Sequence, residues 1–419
     1  MIVTPQRRKA GDLVITAPPS KSYTHRALIM GALGTGPTTI LHPLYAEDTL
    51  LTINALRMLG ISIEVHPDRV IVSGCDGKFA DHENTVIDLD NSGTSLRLIT
   101  PLALLCRHPV TLTGSRRMQE RPIGPLAQAL HSLGGTVHFL KKEGYPPLTV
   151  SGHLQGGRAV IDGSISSQFI SSILITAPYA ETEVEVIIPS PPVSGSYLDI
   201  TAEVMQAFGA EVRREGYARF SVNNARHYAG RTYAIEGDYS SSSYFFAIAA
   251  ICGGRMTVKN LEPGSVQGDR RFPDVLKSMG CSVTYAENEV TVERTGELHG
   301  ITVDMSTSPD TVQTLCMVAA MAKTPTTIRG ISHLKFKESD RITSTAERLN
   351  ALGGDVQVGD DRIMISPSPL HGGVIDPEND HRTAMSFAVL GLGIGGITIT
   401  NAECVNKSFP EFWDTIRRM

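Results

Sequence analysis

Seven short polar stretches interrupt the chain: PPSKSYTHR at 18–26, DNSGTSLR at 90–97, MQERPIG at 118–124, SISSQF at 164–169, KESDR at 337–341, NDHR at 379–382 and NKSFPEF at 406–412. Most precede an apolar run of helical period. Ser, Gly, Lys and Arg therefore fall at predicted helix N-termini, where unpaired N–H groups and a partial positive charge hold phosphate or carboxylate. Capping by Ser, Asp and Asn accounts for part of this composition. It does not account for Lys21, Arg26, Arg97, Arg121, Lys337, Arg341, Arg382 and Lys407, since cations oppose the dipole there. Singly, each suits a solvated surface as well as a ligand. As a set they point to a multiply anionic ligand. If both are helical, Lys337 and Arg341 stand four residues apart, an unfavourable like-charge pair unless an anion lies between them.

Two carboxylates accompany these cations. Asp310, in STSPDTVQ, opens an apolar helix, and Glu338 lies inside KESDR. A carboxylate among cations stays ionised and can accept the proton of a substrate hydroxyl. Helix capping for Asp310 and an ordinary salt bridge for Glu338 are the competing readings. His25 and His381 fit orienting or capping roles better than proton donation. Other chemistries fail on context. GLGIGG at 391–396 follows a helix instead of opening one after a strand, and there is no GxxxxGK[ST], GxSxG or HExxH. Six cysteines form no CxxC and no Cys/His ligand spacing. A reaction on anionic substrates without metal or cofactor is expected.

The elements that position these residues repeat. NALRMLGISIEV, QALHSLGGTVHF, VMQAFGAEVRRE, VLKSMGCSVTYA and ERLNALGGDVQV each read as an amphipathic helix, a glycine and an alternating strand. The glycines at 60, 134, 209, 280 and 353 recur every 71 to 75 residues, too long for a solenoid. A sixth helix ends the chain at PEFWDTIRRM, and the strand-like GDLVITAP near the N-terminus is expected to complete its unit. The run Thr383–Glu403 reads as a buried helix followed by a strand. Six units in two domains of three result: 1–18 with 235–419, and 19–234, joined by crossings near 16–21 and 228–240 and sharing one cleft.

Composition agrees with this class. The 419 residues carry 38 Lys and Arg against 43 Asp and Glu, a net charge of −5, with 41% hydrophobic and 19% charged residues. That excludes disorder and argues against a nucleic-acid binder. Cysteine usage fits a reducing cytoplasm, and neither a signal peptide nor a membrane span is expected.

PSKSxxxR, NSGTSxR, ERPIG, SSQF, KESDR, DHR and KSFP, in this order, resemble the 5-enolpyruvylshikimate-3-phosphate synthases of the enolpyruvyl transferase family. The resemblance implies an α/β (α+β) fold of two lobes, each of three βαβαββ-type units. It implies transfer of the enolpyruvyl group of phosphoenolpyruvate to the 5-hydroxyl of shikimate 3-phosphate, with loss of phosphate, through a tetrahedral ketal and without metal. Residue by residue, it implies that Lys21 contacts both substrates. Ser22 and Arg26 would hold shikimate, Ser166 and Ser167 its 3-phosphate, and Ser194, Tyr197 and Lys337 would add contacts, with Gln168 between the substrates. Gly93, Arg121, Arg341, Arg382 and Lys407 would line the phosphoenolpyruvate site. Asp310 would take the 5-hydroxyl proton, while Glu338 and Lys21 act at the methylene carbon.

Inhibition by glyphosate is implied too, with the room beside Gly93 needed more by the inhibitor than by the substrate. The chain departs from the family's common pattern at His333, where Asn is frequent, and at Ser92, Ser95 and Leu98. A synthase acting on UDP-N-acetylglucosamine and a non-catalytic scaffold share the fold. The first lacks support because GSRRMQERPIG has no cysteine, the second because Asp310 and Glu338 are kept. A cytoplasmic monomer is expected.

Overall fold

In a computed structural model, which describes residues 1–7 and 11–419, all five marker glycines adopt positive φ, from 87° at Gly353 to 106° at Gly280. Each stands just past a helix end, the left-handed position that a Cβ disfavours. A pair of antiparallel strands follows each of them, for example Ile63–Val65 with Arg69–Ser73 and Asp355–Val358 with Arg362–Ser366.

Among the described residues these hairpins build five four-stranded sheets of one design, in which a parallel pair at one edge continues into the hairpin. In the sheets of Gly134, Gly209 and Gly353 the edge strand precedes the helix that leads into its parallel partner, a simple strand–helix–strand unit. The other two exchange their edges. Asp12–Thr16 precedes the helix Lys21–Leu33 yet pairs with Gly254–Lys259, while Thr232–Ala234 precedes Tyr239–Cys252 yet pairs with Pro37–Leu41. Each of these short connections thus carries the chain from an edge strand of one unit into a helix of the other.

This exchange corrects one expectation. GDLVITAP does not complete the sixth unit; as Asp12–Thr16 it heads the sheet of Gly280. The sixth unit keeps only the parallel pair Gly373–Ile375 and Ile397–Ile399, and Val3 bridges Ile399 in antiparallel sense, where a hairpin strand would otherwise lie. Residues 8–10 of the segment assigned to that unit lie outside the described residues. The buried helix and strand expected within Thr383–Glu403 are present as His381–Ile394 and Ile397–Ile399.

Residue contacts divide the chain into Met1–Pro18 with Glu236–Met419, and Pro19–Ile235. In the first unit Tyr239–Cys252, Val312–Ala319 and His381–Ile394 pack on one another at the core. In the second, Lys21–Leu33, Glu47–Met58, Gly93–Ile99, Ser167–Thr176 and Ser196–Ala207 close a ring of packed helices. Among the described residues no helix is long and apolar enough to cross a membrane.

Candidate active site

Every one of the seven polar stretches leads into a helix, at Lys21, Gly93, Gly124, Ser167, Arg341, His381 and Phe412. Within Pro19–Ile235 the Lys21 ammonium donates to Asp48 Oδ2 at 3.1 Å, and the Asp48 side chain is almost wholly buried. Arg26 is buried, and its guanidinium donates to hydroxyls and carbonyls. It donates to Thr201 Oγ1 at 2.8 Å, to Ser171 Oγ at 3.4 Å and to the carbonyls of Ser22 and Tyr197 at 3.0 and 3.1 Å. Burial lowers its pKa to about 10, against the opposing influence of Tyr197 and Tyr23.

Arg97 donates to Gln168 Oε1 at 2.7 Å and to Ser166 Oγ at 3.3 Å, and Gln168 Nε2 donates to Thr94 Oγ1 at 3.0 Å. Ser166 also caps its helix by accepting from Gln168 N. Ser167 is the first helical residue, and Ser194 bends the chain with φ 57° just before the Tyr197 helix. Arg97 therefore gathers the SSQF and NSGTS motifs on one guanidinium.

The neighbour of Gly93 is the Arg121 guanidinium. A Cβ there would lie 2.6 Å from Cζ, Nη1 and Nη2 of Arg121, whose guanidinium rests against the glycine. Gly93 and Arg121 thus form one feature, and nothing can be added at the glycine without moving the arginine.

The second cluster lies within Glu236–Met419. Arg341, with its side chain 2% exposed, donates through Nε to Asp380 Oδ2 at 2.8 Å, through Nη2 to Glu338 Oε2 at 2.8 Å and through Nη1 to Asp310 Oδ1 at 3.3 Å. Burial works against its charge, but Asp380, Glu338 and Asp310 outweigh that and raise its pKa. Arg382 donates to Asp310 Oδ2 at 2.8 Å and to the Asp310 carbonyl at 3.0 Å. Asp310 therefore stands between two arginines in a short turn, Pro309–Thr311, and its carboxylate is engaged by them. Glu338 does form the salt bridge that its competing reading required.

Lys337 is not helical; its extended backbone ends the turn Ser332–Phe336, and Arg341 starts the next helix. For Arg341 the anions come from the chain itself, in Asp380, Glu338 and Asp310. Lys407 is buried at the end of the turn Ala402–Lys407.

Three residues, Asp48, Asp380 and Asp269, carry roles that the sequence did not reveal, and His333, noted there only as a departure from the family's pattern, is buried. Asp48 and Asp380 look like first-turn and capping acids, and Asp380 does cap, accepting from Arg382 N. Neither position reveals in sequence that a cation sits on the carboxylate. Asp269 is buried beside Asp310, and burial foremost, then that neighbouring charge, holds its pKa well above the usual carboxylate range. His333 is 2% exposed, and burial together with Lys337 depresses its pKa to about 3. Among the described residues no group of His, Cys, Asp and Glu is placed to hold a metal ion.

A family model for EPSP synthase (3-phosphoshikimate 1-carboxyvinyltransferase) matches residues 3–416. A curated protein of Methanoregula boonei named 3-phosphoshikimate 1-carboxyvinyltransferase is 63% identical over 419 residues, covering 100% of both chains. Relatives of the same name from Methanoculleus marisnigri and Serratia proteamaculans are 58% and 39% identical, covering 99% and 97% of this chain and 99% and 95% of theirs. A solved EPSP synthase of Acinetobacter baumannii superposes with a TM-score of 0.83 at 29% identity, covering 100% of this chain and 97% of its own.

Proposed function

The chain belongs to the EPSP synthase family, and from that premise we propose how its residues divide the reaction. The enzyme transfers the enolpyruvyl group of phosphoenolpyruvate to the 5-hydroxyl of shikimate 3-phosphate and releases phosphate, a step of aromatic amino acid biosynthesis. The observation that carries the division is the placement of Asp310: a carboxylate between Arg341 and Arg382, held ionised, oriented and ready to accept a proton.

On this reading Asp310 takes the proton of the 5-hydroxyl as its oxygen bonds to C2 of phosphoenolpyruvate. Lys21, an ammonium held by Asp48, gives a proton to the methylene carbon, and the tetrahedral ketal results. Glu338, an ion-paired carboxylate, then removes a proton from the new methyl group as the C–O bond to phosphate breaks. Arg121, Arg341, Arg382 and Lys407, with the backbone at Gly93, hold the carboxylate and phosphate of phosphoenolpyruvate. Arg26, Ser22, Ser166, Ser167, Ser194, Tyr197 and Lys337 hold shikimate 3-phosphate, with Gln168 between the two. Charge-assisted bonds to these anions favour arginine, whose fork matches carboxylate and phosphate.

This reading gives the cluster of each unit its own part in the reaction. It extends to a cytoplasmic monomer with six free cysteines, inhibited by glyphosate at the phosphoenolpyruvate site. The test is phosphate release from phosphoenolpyruvate with different acceptors. Release on adding shikimate 3-phosphate, and none on adding UDP-N-acetylglucosamine, is the expected outcome; the reverse preference overturns the reading.

A further inference from the structure

Beneath Lys21 and Gly93 lies a buried chain of hydroxyl groups whose proton directions can be worked out. Ser95 Oγ is 3.0 Å from the Asp48 carbonyl, 2.8 Å from Thr52 Oγ1 and 2.7 Å from Ser92 Oγ; His25 Nδ1 is 2.8 Å from Thr52 Oγ1. Ser92, Ser95, Thr52 and His25 are all fully buried. A carbonyl only accepts, so the single Ser95 proton goes to Asp48. Ser95 must then accept from both Thr52 and Ser92, using its two lone pairs. Thr52 has spent its proton and accepts from the imidazole. His25 is thereby fixed as the Nδ1–H tautomer, and Ser92, besides donating to Ser95 Oγ, accepts from Ser95 N as the helix cap.

The three helices joined in this way are Lys21–Leu33, Glu47–Met58 and Gly93–Ile99. The first begins at the Lys21 ammonium, the second carries its partner Asp48, and the third begins at the glycine against which Arg121 rests. We propose that Ser95 is a positioning residue for the enolpyruvyl transfer: its hydroxyl, taking two hydrogen bonds and giving one, locks these three helix starts in one register. It thereby sets where the Lys21 ammonium and the Gly93 backbone meet phosphoenolpyruvate. The inference rests on the reading of Lys21 and Gly93 above, but touches no substrate itself.

Two measurements test it. Nitrogen-15 NMR of the histidine-labelled wild-type protein reads the His25 tautomer directly. Nδ1–H is expected, shifting towards Nε2–H in Ser95→Ala, where the Thr52 proton loses its acceptor and turns to the imidazole; Nε2–H in the wild type overturns the proposal. The second measurement is kinetic. Ser95→Ala and Thr52→Val, which cut the same chain at different links, should each raise the KM for phosphoenolpyruvate roughly 10-fold, since small misplacements of positioning groups carry large rate costs. Combined with Asp48→Asn, either should cost less than the sum of the single effects. An unchanged KM, or strict additivity with Asp48→Asn, overturns the proposal. Wild-type protein inactive on shikimate 3-phosphate would instead end the functional reading, and the tautomer would still report on the wiring.

Discussion

At Gly93 the missing side chain is already occupied by a neighbour. The Arg121 guanidinium lies where an alanine methyl would stand, so Gly93→Ala must displace an arginine assigned to phosphoenolpyruvate. What must shift is the far end of a flexible side chain, so the cost falls at the low end of the ~1–3 kcal/mol of overpacking, about 5-fold in affinity. Both the KM for phosphoenolpyruvate and the Ki for glyphosate should rise, measured by steady-state kinetics; a KM that stays put while Ki climbs would show that Arg121 gives way freely. His333 offers a test of a different kind. Its imidazole is buried neutral with a pKa near 3, against 6.5 when exposed. Below pH 6.5 the unfolded chain binds a proton that the folded one refuses, so this residue's stabilisation is complete above 6.5 and fades as pH falls towards 3. Urea midpoints of the wild type should therefore fall more steeply over that window than those of His333→Asn. Parallel profiles would contradict the assignment.

At the level of elements, the sites are helix starts braced against one another. Asp380 caps His381–Ile394 through the Arg382 amide while its carboxylate takes Nε and Nη2 of Arg341, the first residue of Arg341–Ala351. One buried side chain thus fixes two helix starts, each of which presents an arginine. Asp380→Asn keeps the shape and the capping oxygen but removes a buried charge. Breaking such a pair costs about 3–5 kcal/mol, and the value should fall near the lower end because Glu338 and Asp310 remain on Arg341. A lower thermal midpoint together with a raised KM for phosphoenolpyruvate is expected; a change in neither would show that Arg341 does not need this brace. The starts themselves were legible in sequence, because polar residues before apolar periodicity mark them. Which acid sits on which cation was not, since Asp48 and Asp380 carry ordinary capping signals and find their arginine or lysine only through tertiary packing.

For the whole molecule, the repeat was readable from five glycines because each fills the same left-handed position after a helix. The placement of Asp12–Thr16 was not readable. An alternating strand can join any sheet edge of matching pattern, and only the exchange of edges at the two short connections sends it to Gly254–Lys259. Both units hold packed helices whose starts carry the charged groups. In one unit stand Lys21, Arg26 and Arg121; in the other stand Asp310, Glu338, Arg341 and Arg382. The central claim is that the second set supplies the base for the acceptor hydroxyl. It is tested most directly by comparing Asp310→Asn with the wild type, measuring both the rate of phosphate release and the calorimetric Kd for shikimate 3-phosphate. Loss of a positioned base should lower kcat by ~100- to 10,000-fold while the Kd changes only a few-fold. A variant that turns over nearly as fast as the wild type, or that loses chiefly its affinity for shikimate 3-phosphate, would contradict the account.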